Sequence, residues 1–487
     1  MKKAIALALL LALVLSLCAC APGGKKDEKK SAAKLPALGE YDLYAGFARQ
    51  NITPEEPMPM GGYSNAVRRL HQNVLDDLYV TAIALTDAQG QSILLMNWDG
   101  VRAYTETQDL VRSLIAEKTG VAKEHIFLGS THTHSAPEMS NPHEATQRYN
   151  EFAINQALLC AQEALADRRP ANMSAGSIEA EGLNFVRHYM TTLDDGTVEY
   201  FGDSFGTATY NETTTHTSQA DPTMFMLYFD TKDGKDMALI NWRAHPHFTG
   251  GASKYDLSSD WIGPFRDAFE YMTGADMLYF NGAAGNINEK SRISKENTVT
   301  DYKAYGKVLA DYAIELIENN LEPVTVDKIQ TRQTMFEGQV QKAKTEMYYK
   351  AKELQAIWNT GATNAQIIEM GREIGIRSIY HANAIVNNAK RGETETRELN
   401  AILLGDSVSM VTAPNELFDT NAVWLEENSP TKYTLTLGYT NGHHGYIPSA
   451  LAWEHTSYET DITVFVAGTG EKYQECFLQM LKEMTGR

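Results

Sequence analysis

The chain has 487 residues, 43% of them hydrophobic and 22% charged, with 43 Lys and Arg against 62 Asp and Glu for a formal net charge of −19. Such a chain is long enough to bury a sizeable core, and its acidity excludes nucleic acid as a partner, because that binding needs a basic surface. Four cysteines are too few for a disulfide framework, and past the N-terminus no apolar run approaches membrane-spanning length.

The first residues, MKKAIALALLLALVLSLCAC, place two lysines before an apolar run that ends in small residues and cysteine, which predicts a secretion signal over residues 1–19. Leu17, Cys18, Ala19 and Cys20 resemble a bacterial lipobox in which Cys20 is lipidated, anchoring the mature chain to a membrane on its extracytoplasmic side. Removing Lys2 and Lys3 with the signal moves the net charge from −19 to −21. Residues 20–38 contain APGGKKDEKKSAAK, which has nothing to bury and predicts a disordered tether.

From residue 39 to 487 the pattern predicts one large α/β domain of layered mixed β-sheets covered by helices. Strand-like runs TAIALTD and SILLMNWDG precede a helical LVRSLIAEKTG, then the apolar run IFLGS, then a long helix through YNEFAINQALLCAQEALA. Strands follow at TMFMLYFD, DMALINWRA and DMLYFNGAA, and DYKAYGKVLADYAIELIEN has helical periodicity. Residues 338–391 read as a helical excursion, two long helix-forming stretches broken at Thr360-Gly-Ala-Thr363. Strands return in ELNAILLGDSVSMVTAPNE and KYTLTLGYTNG, and EKYQECFLQMLKEM is a closing helix.

Chemistry concentrates where strands run into loops. IFLGSTHTHSAPE carries His132 and His134 two positions apart, so strand alternation places them on one side. Neutral imidazole is a common zinc ligand, and its pKa suits proton transfer. His245 and His247 follow another strand in NWRAHPHF, Glu416 lies in TAPNELF, and Tyr446 and Tyr458 lie in NGHHGYIPSALAWEHTSYE. The proline between His245 and His247 separates their directions, which favours His245 as the ligand. His443 and His444 read as loop residues beside the site, and Asp260, Asn281 and Asn286 as residues that orient ligands.

The order of AGFARQNITP, GGYSNA, HTHSAPE, NFVRHY, NWRAHPHF, SSDWIGPF, FNGAAGNINE, APNELF and NGHHGYIP to SYE resembles the neutral ceramidase family of zinc-dependent amidases, over roughly residues 45 to 470. The resemblance implies zinc held by His132, His245, Glu416 and Tyr446, with His134, Arg187 and Tyr458 around the scissile amide. The family spacing of 12 positions between its two tyrosines is kept from Tyr446 to Tyr458. Zinc with a few protein ligands keeps a position for water and lowers that water's pKa from about 15.7 to about 7. The implied roles are then proton transfer for His134 and hydrogen-bond donation to the developing oxyanion for Arg187 and Tyr458. The implied activity is hydrolysis of an N-acyl lipid amide such as ceramide by a surface-anchored enzyme.

Four departures bear on that transfer. Pro246 is followed by His247, the PGE motif reads Pro414-Asn415-Glu416, and Asn288 stands where the family carries a serine, which leaves no serine nucleophile there. About 30 residues follow the SYE motif, too few for the family's C-terminal immunoglobulin-like domain. The same ligand set also suits a zinc hydrolase of peptide or cell-wall amides or esters; a non-catalytic ligand-binding lipoprotein is the less favoured alternative, supported by the signal and tether but not by the His, Glu and Tyr ensemble.

Overall fold

The computed structural model describes residues 41–63, 69–102, 105–139, 144–202, 210–251, 254–455 and 457–487. The expected signal, the Cys20 anchor and the whole tether lie outside them. The described residues belong to one compact unit, Pro36–Arg487.

Its centre is a nine-stranded sheet. Along the chain the strands are β1 (Leu43–Asn51), β2 (Tyr79–Asp87), β3 (Ser92–Trp98), β4 (Ile126–Ser130), β5 (Arg169–Glu179), β6 (Thr223–Thr231), β7 (Met237–Trp242), β8 (Asp276–Asn281) and β9 (Glu322–Val324). They lie in the order β8-β7-β6-β5-β1-β2-β3-β4, with β9 beside β5. The β3–β4 and β7–β8 pairs at the two ends are parallel and the rest antiparallel. Central strands read as unbroken apolar runs because both faces are covered. Ala82, Ala84, Leu94 and Met96 pack under α1 (Thr105–Thr119) and α2 (Glu144–Ala166), whereas Ile83, Leu85, Ile93 and Leu95 point to the other side. Each fully buried Leu, Ile or Met among them stabilises the fold by roughly 1.5 to 3 kcal/mol.

That other side meets a four-stranded sheet of β10 (Ile329–Gln339), β11 (Thr394–Leu404), β12 (Val408–Thr412) and β13 (Tyr433–Leu437). Alternation sorts the strand β11: Ile402 and Leu404 enter the core between the sheets, while Leu399 and Ala401 face the helices Asp419–Asn428 and Thr469–Thr485. Helices α3 (Ile262–Thr273) and α4 (Tyr302–Asn319) cover β6 to β8. The layered α/β architecture read from the sequence is therefore present.

The large sheet curls until its two edges touch. Gly129 on β4 lies so close to β8 that an added Cβ would stand 2.8 Å from the Phe280 ring, so only glycine fits there. Curling brings the C-terminal ends of β4, β7 and β8 together: the loops that leave β4 and β7 carry His132 and His245, and Asn281 is the last residue of β8.

The excursion is helical over Thr345–Asn359, Asn364–Gly371 and Ile379–Asn388, around a small core of its own. Its expected start at residue 338 falls inside β10, which runs to Gln339. Cys160 and Cys476 are both free thiols.

Candidate active site

His132 does not arrive by strand alternation as expected. The strand β4 stops at Ser130, and His132 takes a left-handed backbone with φ 70°, a conformation uncommon for a residue with a side chain and concentrated at functional sites. Its amide donates to Gly100 O at 2.8 Å, and its Nδ1 donates to Val101 O at 2.7 Å, so Nε2 is left with a lone pair. The ring stacks on Tyr439, centroids 4.3 Å apart. His245 repeats the device after β7: Nδ1 donates to Ile287 O at 2.9 Å and Nε2 turns to the same point. Asn281 ties the two loops together, its Nδ2 donating to Ala244 O at 3.1 Å and reaching Thr131 O at 3.4 Å.

Glu416 closes the set. Its Oε2 stands 3.4 Å from His132 Nε2 and 3.3 Å from His245 Nε2, and its Oε1 accepts from His443 Nε2 at 3.0 Å. With both Nδ1 atoms committed to carbonyls, two imidazole lone pairs and a carboxylate oxygen converge. That oxygen is buried and makes no hydrogen bond among the described residues. Such a donor set needs a cation at its centre, and mixed nitrogen and oxygen donors suit zinc. His132, His134 and His245 likewise form a group that could hold a metal ion, their ligand atoms within 4.8 Å of one another. The residues present therefore fit the metal that the resemblance implies.

His134 is the near neighbour, its Nε2 3.2 Å from His132 Nε2. Burial, then the His247, His132 and His245 rings, push its pKa well below the ordinary imidazole value, so it is a neutral base at pH 7. Tyr63 of GGYSNA packs edge-on against it at 5.3 Å, and Gly62, at φ 91°, leaves room that a side chain would take from the ring. His247 lies edge-on to His134 at 4.3 Å and stacked on His245 at 4.7 Å, outside that metal-holding group.

Glu416 and Tyr446 sit opposite each other in a two-residue parallel ladder, so one backbone register sets both side chains. The Tyr446 hydroxyl accepts from Arg187 Nη2 at 3.2 Å. Burial and then the Glu416 charge raise the pKa of that hydroxyl well above the ordinary phenol value, so without a cation beside it the proton stays on. Arg187 is buried and clamped by Glu459, with Nε 2.7 Å and Nη2 2.6 Å from Oε1, while His188 Nε2 meets Oε2 at 2.8 Å. Burial works against the Arg187 charge, but Glu459 beside it holds its pKa above the ordinary value. Tyr458 opens the short helix Tyr458–Ile462, capped by Ser457, and its ring lies 5.9 Å from that of Tyr446.

These groups border a cleft of about 610 Å³, whose walls include His134, Arg187, His247, Tyr446 and Tyr458. Every residue singled out as ligand or substrate contact is thus in one neighbourhood. Of the orienting residues, Asp260 accepts from the amide and hydroxyl of Thr249 at 2.7 and 2.6 Å, bracing the His247 loop. Asn286 pairs with Asp419 and accepts from the Arg187 amide at its carbonyl. Sequence reasoning gave no role to Tyr439, Glu459 or Tyr63, although all three fall in or beside quoted motifs. It placed His443 in a loop, where it is, without its bond to Glu416. Tyr380 carried no signal: it reaches the cleft from the helical excursion.

No family model and no curated protein sequence matches the chain. Solved structures do. A neutral ceramidase from Pseudomonas aeruginosa superposes with a TM-score of 0.69 at 16% identity, over 92% of this chain and 75% of that one. A ceramidase complexed with C2 gives a TM-score of 0.66 at 15% identity, over 92% of this chain and 76% of that one. At this identity the likeness is one of fold, and the described domain has a neutral-ceramidase-like fold.

Proposed function

We propose that the chain is a zinc-dependent hydrolase of an amide bond in an N-acyl compound. Ceramide is the member of that class nearest to the names of the structural neighbours. The reading rests on one observation above the others, the convergence of His132 Nε2, His245 Nε2 and Glu416 Oε2 beside the cleft residues His134 and Tyr446. In this reading Tyr446 completes the ligand set. A zinc ion held there supplies Lewis acidity toward a carbonyl and toward water. His134, neutral and unbound, takes a proton from water and returns it to the leaving amine. Arg187, oriented by Glu459, and the Tyr458 hydroxyl donate to the oxygen that gains charge, a contact type whose single removal costs roughly 3 to 4 kcal/mol in other enzymes. Asn288, a cleft residue, offers no hydroxyl for an acyl-enzyme route.

To test this, mature protein is stripped with a chelator and assayed on fluorogenic N-acyl substrates. Activity lost on chelation and restored by zinc is the expected result, and turnover that ignores both treatments would sink the reading. The sequence around Leu17 to Cys20 further supports an extracytoplasmic, lipid-anchored location. Cys20→Ala should then move the protein from the membrane to the soluble fraction.

A further inference from the structure

A chain with a net charge of −19 gathers cations at its main cleft. Lys254, Lys290 and Arg292 line it together with Arg187, against Glu289 as the lining carboxylate. Arg187 is balanced by Glu459, its Nη2 2.6 Å from Oε1. The positive excess therefore lies on the wall around Phe248. The Lys254 ammonium donates to Phe248 O at 2.7 Å, and the Lys290 ammonium sits 4.4 Å from the centre of the Phe248 ring. Glu289 touches Lys290 only at 3.9 Å, and its side chain is 1% exposed where that of Lys290 is 42% exposed. The carboxylate is turned inward and the ammonium outward. Arg69, fully buried, donates to Gly61 O, His134 O and Gly251 O and stacks over Tyr63, which sets its guanidinium behind the Gly251 end of the cleft with Glu138 as its nearest carboxylate influence. Clefts lined by one sign of charge concentrate ligands of the other.

We infer that the amide cleaved in this cleft carries an oxyanionic group, carboxylate or phosphate, seated against Lys254 and Lys290. The substrate class is then N-acyl amino acids or phosphorylated N-acyl amino alcohols in preference to uncharged N-acyl lipids. This rests on the hydrolase reading: water adds its oxygen to the acyl carbon, the C–N bond breaks, and a proton passes to nitrogen, giving a fatty acid and an anionic amine.

The test compares N-lauroylglycine, N-lauroylethanolamine phosphate and uncharged N-lauroylethanolamine by release of laurate from the zinc-loaded protein. An anionic substrate should show kcat/KM roughly tenfold above the uncharged one, mostly through KM, with the ratio shrinking as salt rises. The two anionic arms separate a carboxylate from a phosphate. The Lys254→Gln/Lys290→Gln protein should bring the ratio toward one while keeping the wild-type melting temperature. Calorimetric titration of His134→Ala protein with N-lauroylglycine and N-lauroylethanolamine reads the preference without turnover. Equal kcat/KM for all three, or a preference indifferent to both lysine substitutions, would overturn the inference and leave the hydrolase reading standing. Anion-selective binding with no hydrolysis of any of them would uphold the anion site and fail the hydrolase reading.

Discussion

Val101 fixes what His132 can do. Because Val101 O takes the Nδ1 proton, Nε2 is an acceptor, and an acceptor beside a buried carboxylate oxygen needs a cation between them. His134 has no such backbone lock, since its Nδ1 is buried without a hydrogen bond among the described residues. The pair therefore divides under mutation. His132→Ala should remove stoichiometric zinc, whereas His134→Ala should keep the metal and lose about 10²- to 10⁴-fold in kcat, read by elemental analysis beside steady-state rates. Loss of metal in both variants would make His134 a ligand. Away from the metal, His455 stacks on Tyr200, and burial, then His188, pulls its pKa down to about 4. Between its unfolded value near 6.5 and 4, the unfolded chain binds a proton that the folded one does not, so stability falls on acidification through that window. His455→Phe should therefore lose less melting temperature than wild type between pH 7 and 4.5, by on the order of 1 °C for a chain this size.

The helix Tyr458–Ile462 is five residues long and serves three places at once. Tyr458 borders the cleft, Glu459 clamps Arg187 and His188, and Asp461 pairs with Arg377 and lies 3.5 Å from His381 of the excursion. Replacing one partner of a buried ion pair strands the other charge, so Glu459→Gln should destabilise the fold by about 3 to 5 kcal/mol, measured by denaturant unfolding, and lower kcat with zinc still bound. An unchanged unfolding midpoint would show that the clamp contributes nothing. This element also shows why legibility was uneven. SYE was readable as a motif, but its acid could be matched to Arg187 only once residues 272 positions apart were in contact. Strands followed the same logic. IFLGS and MALINW announce themselves because both faces are apolar. RPANMSAGSIE and IQTRQTMFEGQ, rich in polar and small residues, form full strands β5 and β10 by pairing with neighbours, which local propensity cannot foresee. His132 reaches His134 by a left-handed turn rather than by strand alternation, a conformation that the residue pattern does not announce.

At the scale of the molecule the proposed metal set joins layers that the chain builds separately. His132 and His245 hang from the large curled sheet, whereas Glu416 follows β12 of the smaller sheet and Tyr446 pairs with it across the short ladder. The contact between the sheets is mainly the apolar core of Phe127, Phe280, Ile402 and Leu435 and their neighbours, which has no directionality, with few polar links such as Asn241 Nδ2 to Thr436 O at 3.1 Å and Ile329 N to Asp87 Oδ2 at 2.8 Å. An ion bound at this point therefore adds a directional link between two halves, and any ligand that binds the folded state alone stabilises it by mass action. Zinc at 100 times its dissociation constant should raise the unfolding free energy by about 2.7 kcal/mol, and chelation should lower the melting temperature by a matching amount. Magnesium, which favours octahedral oxygen donors, should produce almost none of this shift. Because Glu416 reaches the site from the smaller sheet, Glu416→Gln should abolish the zinc-dependent rise as completely as His132→Ala from the larger one. A rise that survives either substitution would mean that the ion sits on one layer only.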